Sequence, residues 1–289
     1  MTVATVLAGG LHFGEGPRWR DGRLWFSDFF DHAVKSVSLA GDVRIEVQLD
    51  DQPSGLGWTP AGELLIVAMK RRQVLKRTAG GEIAVHADLG DIATWHCNDM
   101  VVDADGRAYV GNFGFDLDAV MKRDGAAADF AAQTKARLAL IELDGTVREA
   151  AADLGFPNGS VITPDGRTLI LAETFARQLT AFDIGADGGL SNRRVWASVG
   201  ERAPDGICLD ADGAIWVANA LAPECVRFAE GGEVVGRVET SQPCFACMLG
   251  GEDGRTLFML TAPPMGAAPE GPRGKIETAQ VEAAHAGRP

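Results

Sequence analysis

The segment CNDMVVDADGRAYVGN, residues 97–112, contains the pattern that decides the fold of this chain. Two short apolar runs flank an Asp-Gly pair, and Gly106 closes the turn between them. Glycine accepts the positive φ that tight hairpin turns require, so the segment predicts a β-hairpin. Asn98 and Asp99 stand just before the first run. A single copy leaves open whether they cap a loop or belong to a site.

The same pattern occurs six times along the chain, at residues 14–28, 54–68, 97–112, 157–173, 204–219 and 246–260. The turn glycines follow one another at intervals of 40, 44, 60, 47 and 41 residues. A period of roughly 40–47 residues with about four short strands per unit is typical of a β-propeller blade. The sequence therefore predicts an all-β fold, a six-bladed β-propeller with four-stranded antiparallel blades, as a single domain over residues 1–289.

Two parts of the chain fall outside the repeat. The C-terminal KIETAQVEA, residues 275–283, is expected to supply the third strand of the last blade, and the N-terminal TVATVLA its outer strand. Pairing the two ends would close the ring and remove an exposed sheet edge. The 60-residue interval contains an insertion at about 115–135, which is Ala-rich and weakly helical. We expect a loop or a short helix there, over one face of the disc.

The bulk composition excludes several classes of protein. A net charge of −13 disfavours nucleic acids and anionic membranes as partners, since both need basic patches. The N-terminus lacks a basic region and a long apolar run, so no signal peptide or transmembrane helix is expected. The five cysteines show no zinc-site spacing, and we expect buried, inert thiols in a reducing cytoplasm. A small-molecule substrate and a monomeric chain are expected.

One position recurs at the start of each hairpin. Counting back eight residues from the turn glycines of units three, four and five reaches Asn98, Asn158 and Asp205. Glu15 lies seven residues before its glycine, as a shorter turn would produce, whereas units two and six carry Ser54 and Ala246. Equivalent positions of innermost strands face a common axis, so we expect these side chains to converge at the mouth of the central channel.

The convergent set has the chemistry of a cation site. Two carboxylates and two amide oxygens suit a hard divalent cation such as Ca²⁺, Mg²⁺ or Mn²⁺. Two carboxylates buried together without a cation would force one of them to take up a proton. Asp99 follows Asn98 in an alternating strand, so its side chain is expected to face away from the axis.

The passages FGEGPRW, CNDMVVDADGRAYVGN, FPNGSVITPDGRTLILAE and APDGICLDADGAIWVAN resemble the regucalcin-like senescence marker protein / gluconolactonase family, in the family's order. The similarity extends from about residue 10 to residue 262. It implies a six-bladed propeller with one divalent metal ion (Ca²⁺, Mn²⁺, Mg²⁺ or Zn²⁺) on its axis, held by Glu15, Asn158 and Asp205. It also implies hydrolysis of lactones, with Asp205 as general base and Asn98 near metal-bound water or substrate.

Two departures from the family concern the substrate. His96 stands where the sugar-lactonase branch commonly has an arginine, and Met100 replaces the glycine of its Asn-Asp-Gly motif. Trp95, Phe113 and Phe115 make the neighbourhood more aromatic than a polyol site requires. We expect His96 and Phe113 to contact substrate together with Asn98, and a lactone less polar than an aldonolactone. His96 could act in proton transfer, donate a hydrogen bond, or line the channel only.

The resulting hypothesis is a metal-dependent hydrolase that opens a sugar or related γ- or δ-lactone. One alternative is a hydrolase of phosphotriesters or other esters on the same metal site. Another is a non-enzymatic calcium-binding propeller, because propellers also serve as scaffolds. Convergent carboxylates argue against a pure scaffold, which has no use for them.

Overall fold

The six hairpins form the inner halves of six sheets in the computed structural model, which describes residues 2–125, 128–264 and 271–288. The first fourteen strands are β1 (Thr2–Val3), β2 (Thr5–Leu11), β3 (Gly14–Arg20), β4 (Arg23–Asp28), β5 (Ala33–Ser38), β6 (Val43–Gln48), β7 (Pro53–Trp58), β8 (Leu64–Ala68), β9 (Gln73–Arg77), β10 (Ile83–Asp88), β11 (Cys97–Val102), β12 (Ala108–Asn112), β13 (Ala136–Ile141) and β14 (Val147–Leu154).

The remaining strands are β15 (Pro157–Ile162), β16 (Thr168–Glu173), β17 (Gln178–Ile184), β18 (Leu190–Ser198), β19 (Pro204–Leu209), β20 (Ile215–Asn219), β21 (Glu224–Phe228), β22 (Val234–Glu239), β23 (Cys244–Gly250), β24 (Thr256–Thr261) and β25 (Gly274–Gln280). One α-helix, α1 (Leu117–Asp124), lies in the segment predicted as an insertion, of which residues 126–127 lie outside the described residues. Single 3₁₀ turns follow β4 and β16, at Phe29–Asp31 and Thr174–Ala176.

Each sheet is one blade, and four consecutive strands run from the axis outward in blades 1 to 5, beginning at β3, β7, β11, β15 and β19. Blade 6 has the order β23, β24, β25 and β2, so the N-terminal strand β2 pairs with the C-terminal strand β25. The prediction of a six-bladed propeller with four-stranded antiparallel blades is confirmed. Blade 5 differs by one strand, because β1 adds to β22 in parallel.

The C-terminal residues continue beyond blade 6 and cross the far ends of two inner strands. Asp210 pairs with His285, and Ile162 pairs with Arg288 through backbone hydrogen bonds in both directions. This segment lies at the carboxyl ends of β15 and β19, whereas the predicted site residues lie at the amino ends. The described C-terminal residues therefore lie at the opposite end of these strands from the predicted site residues.

The turn glycines have the backbone conformation that the hairpin argument requires. The φ angles of Gly22, Gly62, Gly106, Gly166, Gly213 and Gly254 lie between 70° and 86°. In blade 1 a two-residue turn, Asp21-Gly22, joins Arg20 to Arg23. That turn is shorter than the corresponding turns of the other blades. This confirms that a shorter turn puts Glu15 seven residues, and not eight, before its glycine.

The innermost strands pack against one another in a closed ring, β3–β7–β11–β15–β19–β23–β3. The packing depends on glycines at the third positions of β3, β7, β15 and β19. A Cβ atom on Gly159 would lie 2.5 Å from the backbone nitrogen of Ile207 and 2.7 Å from the Cα of Gly206. Gly55 approaches the backbone of Met100 in the same way. Side chains here would push neighbouring blades apart, because a packed interior cannot absorb the added volume.

Gly159→Ala is therefore expected to lower the free energy of unfolding by about 3 kcal/mol, the upper range for overpacking. Gly9→Ala is the matched control, because a Cβ there meets nothing within 4 Å, and a change below about 0.5 kcal/mol is expected. Urea unfolding of both variants measures the difference. Equal midpoints would contradict the close approach of the inner strands.

The five cysteines are buried and unpaired, as expected. Their pattern in the sequence therefore reflects core packing between blades.

Among the described helices, none has the length and apolar character needed to cross a membrane.

Candidate metal centre

The four predicted ligand-type residues occupy the same position in four blades. Glu15, Asn98, Asn158 and Asp205 are each the second residue of an innermost strand, in β3, β11, β15 and β19. Because these strands form one ring, their amino ends lie together at one end of the central channel, and the four residues lie there with them. Ser54 has the same position in β7, as expected.

In blade 6, the second residue of the innermost strand β23 is Phe245, so the prediction of Ala246 at this position was wrong. β23 has seven residues, one more than β11, β15 or β19, so a count from its turn glycine falls one residue late. Packing shows the same shift: a Cβ on Gly206, the third residue of β19, would lie 2.7 Å from the Cα of Ala246. Ala246 is thus a third residue, and the sixth side of the channel mouth is aromatic.

Glu15 and Asp205 interact electrostatically at this mouth. Asp205 is 7% exposed, and Glu15 is partly exposed. Burial raises the pKa of Glu15 well above its usual value, and the charges of Asp205 and Asp99 add to this. Burial, followed by the charge of Asp99, also raises the pKa of Asp205. The site concentrates negative charge that water does not solvate, which is the situation a bound cation relieves.

Hydrogen bonding leaves oxygen atoms of this set available. The Oδ1 atom of Asp205 is buried without a hydrogen-bond partner among the described residues. The Nδ2 atom of Asn158 donates to the Thr174 hydroxyl at 3.2 Å, which fixes the amide with its carbonyl oxygen free for a ligand. Buried polar atoms are almost always paired, so an orphan oxygen beside a second carboxylate fits a divalent cation.

Side chains at the ends of the second strands hold the loops that lead into the site. Asp28 accepts the backbone N–H of Phe13 at 2.8 Å, and Glu173 accepts that of Gly155 at 2.6 Å. Asn219 likewise accepts the N–H of Ala203 at 3.2 Å. Each accepted N–H lies two or three residues before a predicted ligand. The polar ends of β4, β16 and β20 thus fix where Glu15, Asn158 and Asp205 begin.

Asp99 faces the channel, contrary to the expectation that it points away. The pairing of β11 with β12 shifts register between Cys97 and Met100, and this bulge interrupts the alternation of side chains. Arg18 of blade 1 donates to Asp99 Oδ1 at 3.2 Å and also to the Met100 carbonyl. The two side chains are buried, with Arg18 5% and Asp99 8% exposed. No motif in the sequence singles out Arg18.

Arg18→Met is expected to lower the free energy of unfolding by about 3–5 kcal/mol, because it leaves the Asp99 carboxylate buried without its partner. The double variant Arg18→Met/Asp99→Asn should recover a large part of that loss. Arg44→Met is the control, since the Arg44–Asp42 pair is exposed and worth less than about 1 kcal/mol. Chemical denaturation measures all three. A loss in Arg18→Met no larger than in the control would contradict a buried ion pair.

A second acidic cluster lies at the end of β4, beside the start of the innermost strand β3. His12, Asp28 and Asp31 offer ligand atoms within 4.8 Å of one another. The Lys35 ammonium lies 2.8 Å from Asp28 Oδ2 and 2.5 Å from Asp31 Oδ2. The lysine supplies the positive charge that this cluster needs, and we assign it a structural role.

The residues predicted to contact substrate lie beside Asn98. The ring of His96 stacks on Trp95 at a centroid distance of 5.0 Å and lies 6.0 Å from the ring of Phe113. The backbone N–H of Phe113 donates to the His96 carbonyl at 2.9 Å. Burial lowers the pKa of His96, and the charge of Lys70 lowers it further. The imidazole is therefore mainly neutral near pH 7, and one ring nitrogen is a donor and the other an acceptor.

Comparison with known proteins finds the family that the sequence motifs resemble. The model of the SMP-30/Gluconolactonase/LRE-like region matches residues 13–263. Pentonolactonase XacC of Haloferax volcanii is 27% identical over 271 residues, covering 91% of this chain and 86% of that protein. Regucalcin of Danio rerio is 28% identical over 267 residues, covering 90% and 86%.

Among solved structures, the fold is shared by a calcium-binding protein, regucalcin, from Agrobacterium tumefaciens. The TM-score is 0.81 at 22% identity, with 100% of this chain and 98% of that chain covered. The likeness extends over the full ring of six blades. The chain belongs to the SMP-30/gluconolactonase/LRE-like family.

Proposed function

We propose that this protein is a metal-dependent lactonase, which opens a γ- or δ-lactone ring by hydrolysis. The observation that carries the proposal is the pair Glu15 and Asp205, whose charges influence each other. Asp205 also has a buried oxygen without a hydrogen-bond partner among the described residues. The pentonolactonase relative supports the reaction class, and the calcium-binding relative supports a divalent cation. Neither relative identifies the cation bound here.

Glu15, Asn158 and Asp205 would hold the cation through carboxylate and amide oxygens, a set that suits Ca²⁺, Mg²⁺, Mn²⁺ or Zn²⁺. A cation held there would supply Lewis-acid chemistry, polarising a lactone carbonyl and stabilising the negative charge that develops on its oxygen. Each ligand is placed by its own blade, so the geometry is set before substrate arrives. Such preorganised charges stabilise a transition state at no cost in reorganisation.

Asp205 would also accept the proton of the attacking water. A carboxylate held within reach of the attacking water can serve as its general base. Asn98, whose Nδ2 atom lies 3.4 Å from the Pro157 carbonyl, would orient the substrate. Neutral His96 would offer a hydrogen bond to the ring or to its substituent. The buried, unpaired cysteines support a reducing compartment such as the cytoplasm.

A panel of sugar lactones, alkyl lactones and one aryl phosphotriester tests the proposal, with Ca²⁺, Mn²⁺ or Zn²⁺ added and with EDTA. We expect hydrolysis of at least one lactone class, lost in EDTA and restored by a divalent cation. Turnover of the phosphotriester alone would replace the lactonase with a phosphotriesterase. Cation binding without turnover of any compound would favour a non-enzymatic calcium-binding propeller.

A further inference from the structure

A continuous cluster of rings covers one side of the site face. It comprises Trp95, His96, Phe113, Phe115, Phe130, Phe156 and Phe175, and we call it the aromatic wall. Phe113 stacks on Phe156 at 4.6 Å, and Phe156 meets Phe175 edge-on at 4.8 Å. Phe115 contacts Phe156 and Phe175 at about 6 Å. The rings thus form one surface from blade 3 to blade 4.

The aromatic wall stands directly beside the proposed ligands. Phe156 lies two residues before Asn158, and Phe175 follows Thr174, whose hydroxyl accepts from that asparagine. Phe113 hydrogen-bonds the backbone of His96, two residues before Asn98. Phe113, Phe115 and Phe175 are partly exposed. A molecule bound at the channel mouth would therefore touch ring surface on this side.

The segment between β12 and β13 extends the wall outward. Asp116 caps helix α1 by accepting the backbone N–H of Ala119 at 2.9 Å. Buried Leu117 and Val120 anchor the helix. The segment carries Phe115 at one end and Phe130 further on, and Phe130 stacks on Phe175 at 4.2 Å with the rings within 6° of parallel. The insertion thus supplies two of the rings.

A second group of rings lies in blades 1 and 6. Phe13, two residues before Glu15, contacts Phe245 at 4.6 Å and Phe29 at 4.8 Å. Phe245 holds the position that carries the polar ligand-type residue in four other blades. Phe30 contacts Phe29 and is half exposed. The mouth therefore has ring surface in blades 1, 3 and 4, and the ring of Phe245 in blade 6 is buried.

Such a surface discriminates between lactones by their substituents. The hydroxyl groups of a sugar lactone lose water on binding and need donors and acceptors in return, which phenylalanine rings do not supply. An alkyl or aryl group instead gains about 0.8 kcal/mol for each methylene it buries. We propose that the substrate is a lactone with an alkyl or aryl substituent that packs against the aromatic wall, in preference to a polyhydroxylated lactone. This rests on the proposed function.

The test compares δ-valerolactone, δ-octanolactone and δ-decanolactone with D-glucono-1,5-lactone in the cation-loaded protein. We expect kcat/KM to rise up to about fourfold for each methylene that the wall buries, mainly through KM. Phe113→Ala and Phe175→Ala should flatten this dependence, so that δ-octanolactone and δ-decanolactone lose more in kcat/KM than δ-valerolactone does. Leu143→Ala, an exposed apolar change in the β13–β14 turn, is the control and should retain the dependence.

A binding readout separates this inference from the proposed function. The lactams with the rings of δ-valerolactone and δ-decanolactone resist hydrolysis, and calorimetry measures their affinities. We expect the longer lactam to bind the wild type at least about tenfold more tightly, and Phe175→Ala to remove that gain. Equal lactam affinities together with a preference for D-glucono-1,5-lactone would overturn the inference and leave the lactonase intact. Length-dependent lactam binding without turnover of any lactone would overturn the lactonase alone.

Discussion

Asp205→Asn is expected to lower kcat/KM for lactone hydrolysis by about 10³-fold or more, the largest loss among the substitutions considered. The change removes a carboxylate charge from the cation site and the proposed general base together, and each role alone is worth about 10²-fold or more. The side chain keeps its size, so the innermost strand β19 should keep its conformation. Initial rates at saturating cation, measured for wild type and variant, give the ratio.

Asp212→Asn is the matched control, because that carboxylate is exposed in the turn after β19. It should leave kcat/KM within about twofold. Thermal unfolding of Asp205→Asn completes the comparison. In the metal-free state the variant should be at least as stable as wild type, since the substitution removes a buried charge beside Glu15 and Asp99. Wild-type rates in Asp205→Asn would exclude this residue as ligand and base.

Binding of a divalent cation is expected to stabilise the fold by about 2.7 kcal/mol at a hundredfold excess over Kd, which is about 5 °C in melting temperature. Burial raises the pKa values of Glu15 and Asp205, so the metal-free native state holds protons that the unfolded state has released above about pH 4. The contribution of this pair to the stability of the metal-free protein therefore falls as pH rises from that point. A cation displaces these protons, so its stabilising effect should be larger at pH 8 than at pH 5.

Glu15→Gln should remove most of this cation-dependent shift, because it takes one of the two charges from the ligand set. Glu201→Gln, at a side chain that is 95% exposed, should keep the shift. Scanning calorimetry with EDTA, Ca²⁺ and Mn²⁺ at both pH values measures it. A shift of the same size in Glu15→Gln, or a larger one at pH 5, would contradict a site built on this pair.

The fold could be predicted from the sequence because each blade repeats one local feature. A hairpin needs only alternating apolar residues and a glycine at its turn, and the spacing of six such turns specifies the ring. β1 was not predicted because a two-residue strand, Thr2–Val3, carries no periodic pattern. Its parallel pairing with β22 depends on where the start of β2 places the first residues of the chain. Tertiary structure alone decides that position.

The positions of the candidate site residues could be predicted in blades whose innermost strands have the same length. The prediction failed in a blade whose innermost strand is longer. Counting from the turns placed Asn98, Asn158 and Asp205 correctly at second positions. The extra residue of β23 put Phe245 where Ala246 was expected. A bulge shared by β7, β11, β15 and β19 interrupts the alternation of side chains that was assumed for Asp99. Arg18 acquires its role only through contact with another blade, which spacing along one strand cannot show.

The aromatic wall was predicted only in part, for a related reason. Trp95 and Phe113 stand near Asn98 in the chain, so their place beside the site could be inferred from proximity. Phe130 and Phe175 are 45 residues apart and meet because the segment between β12 and β13 reaches across to blade 4. Contacts between loops of different blades follow from the closed ring and not from any local pattern.

The most direct test of a metal-dependent lactonase is a titration of Ca²⁺ or Mn²⁺ into metal-stripped protein, with binding heat and the rate of δ-decanolactone and D-glucono-1,5-lactone hydrolysis followed on the same sample. We predict that one cation binds per chain and that the rate rises from background in proportion to the occupied fraction. Full activity in the stripped protein, or saturation with cation that leaves both rates at background, would contradict it.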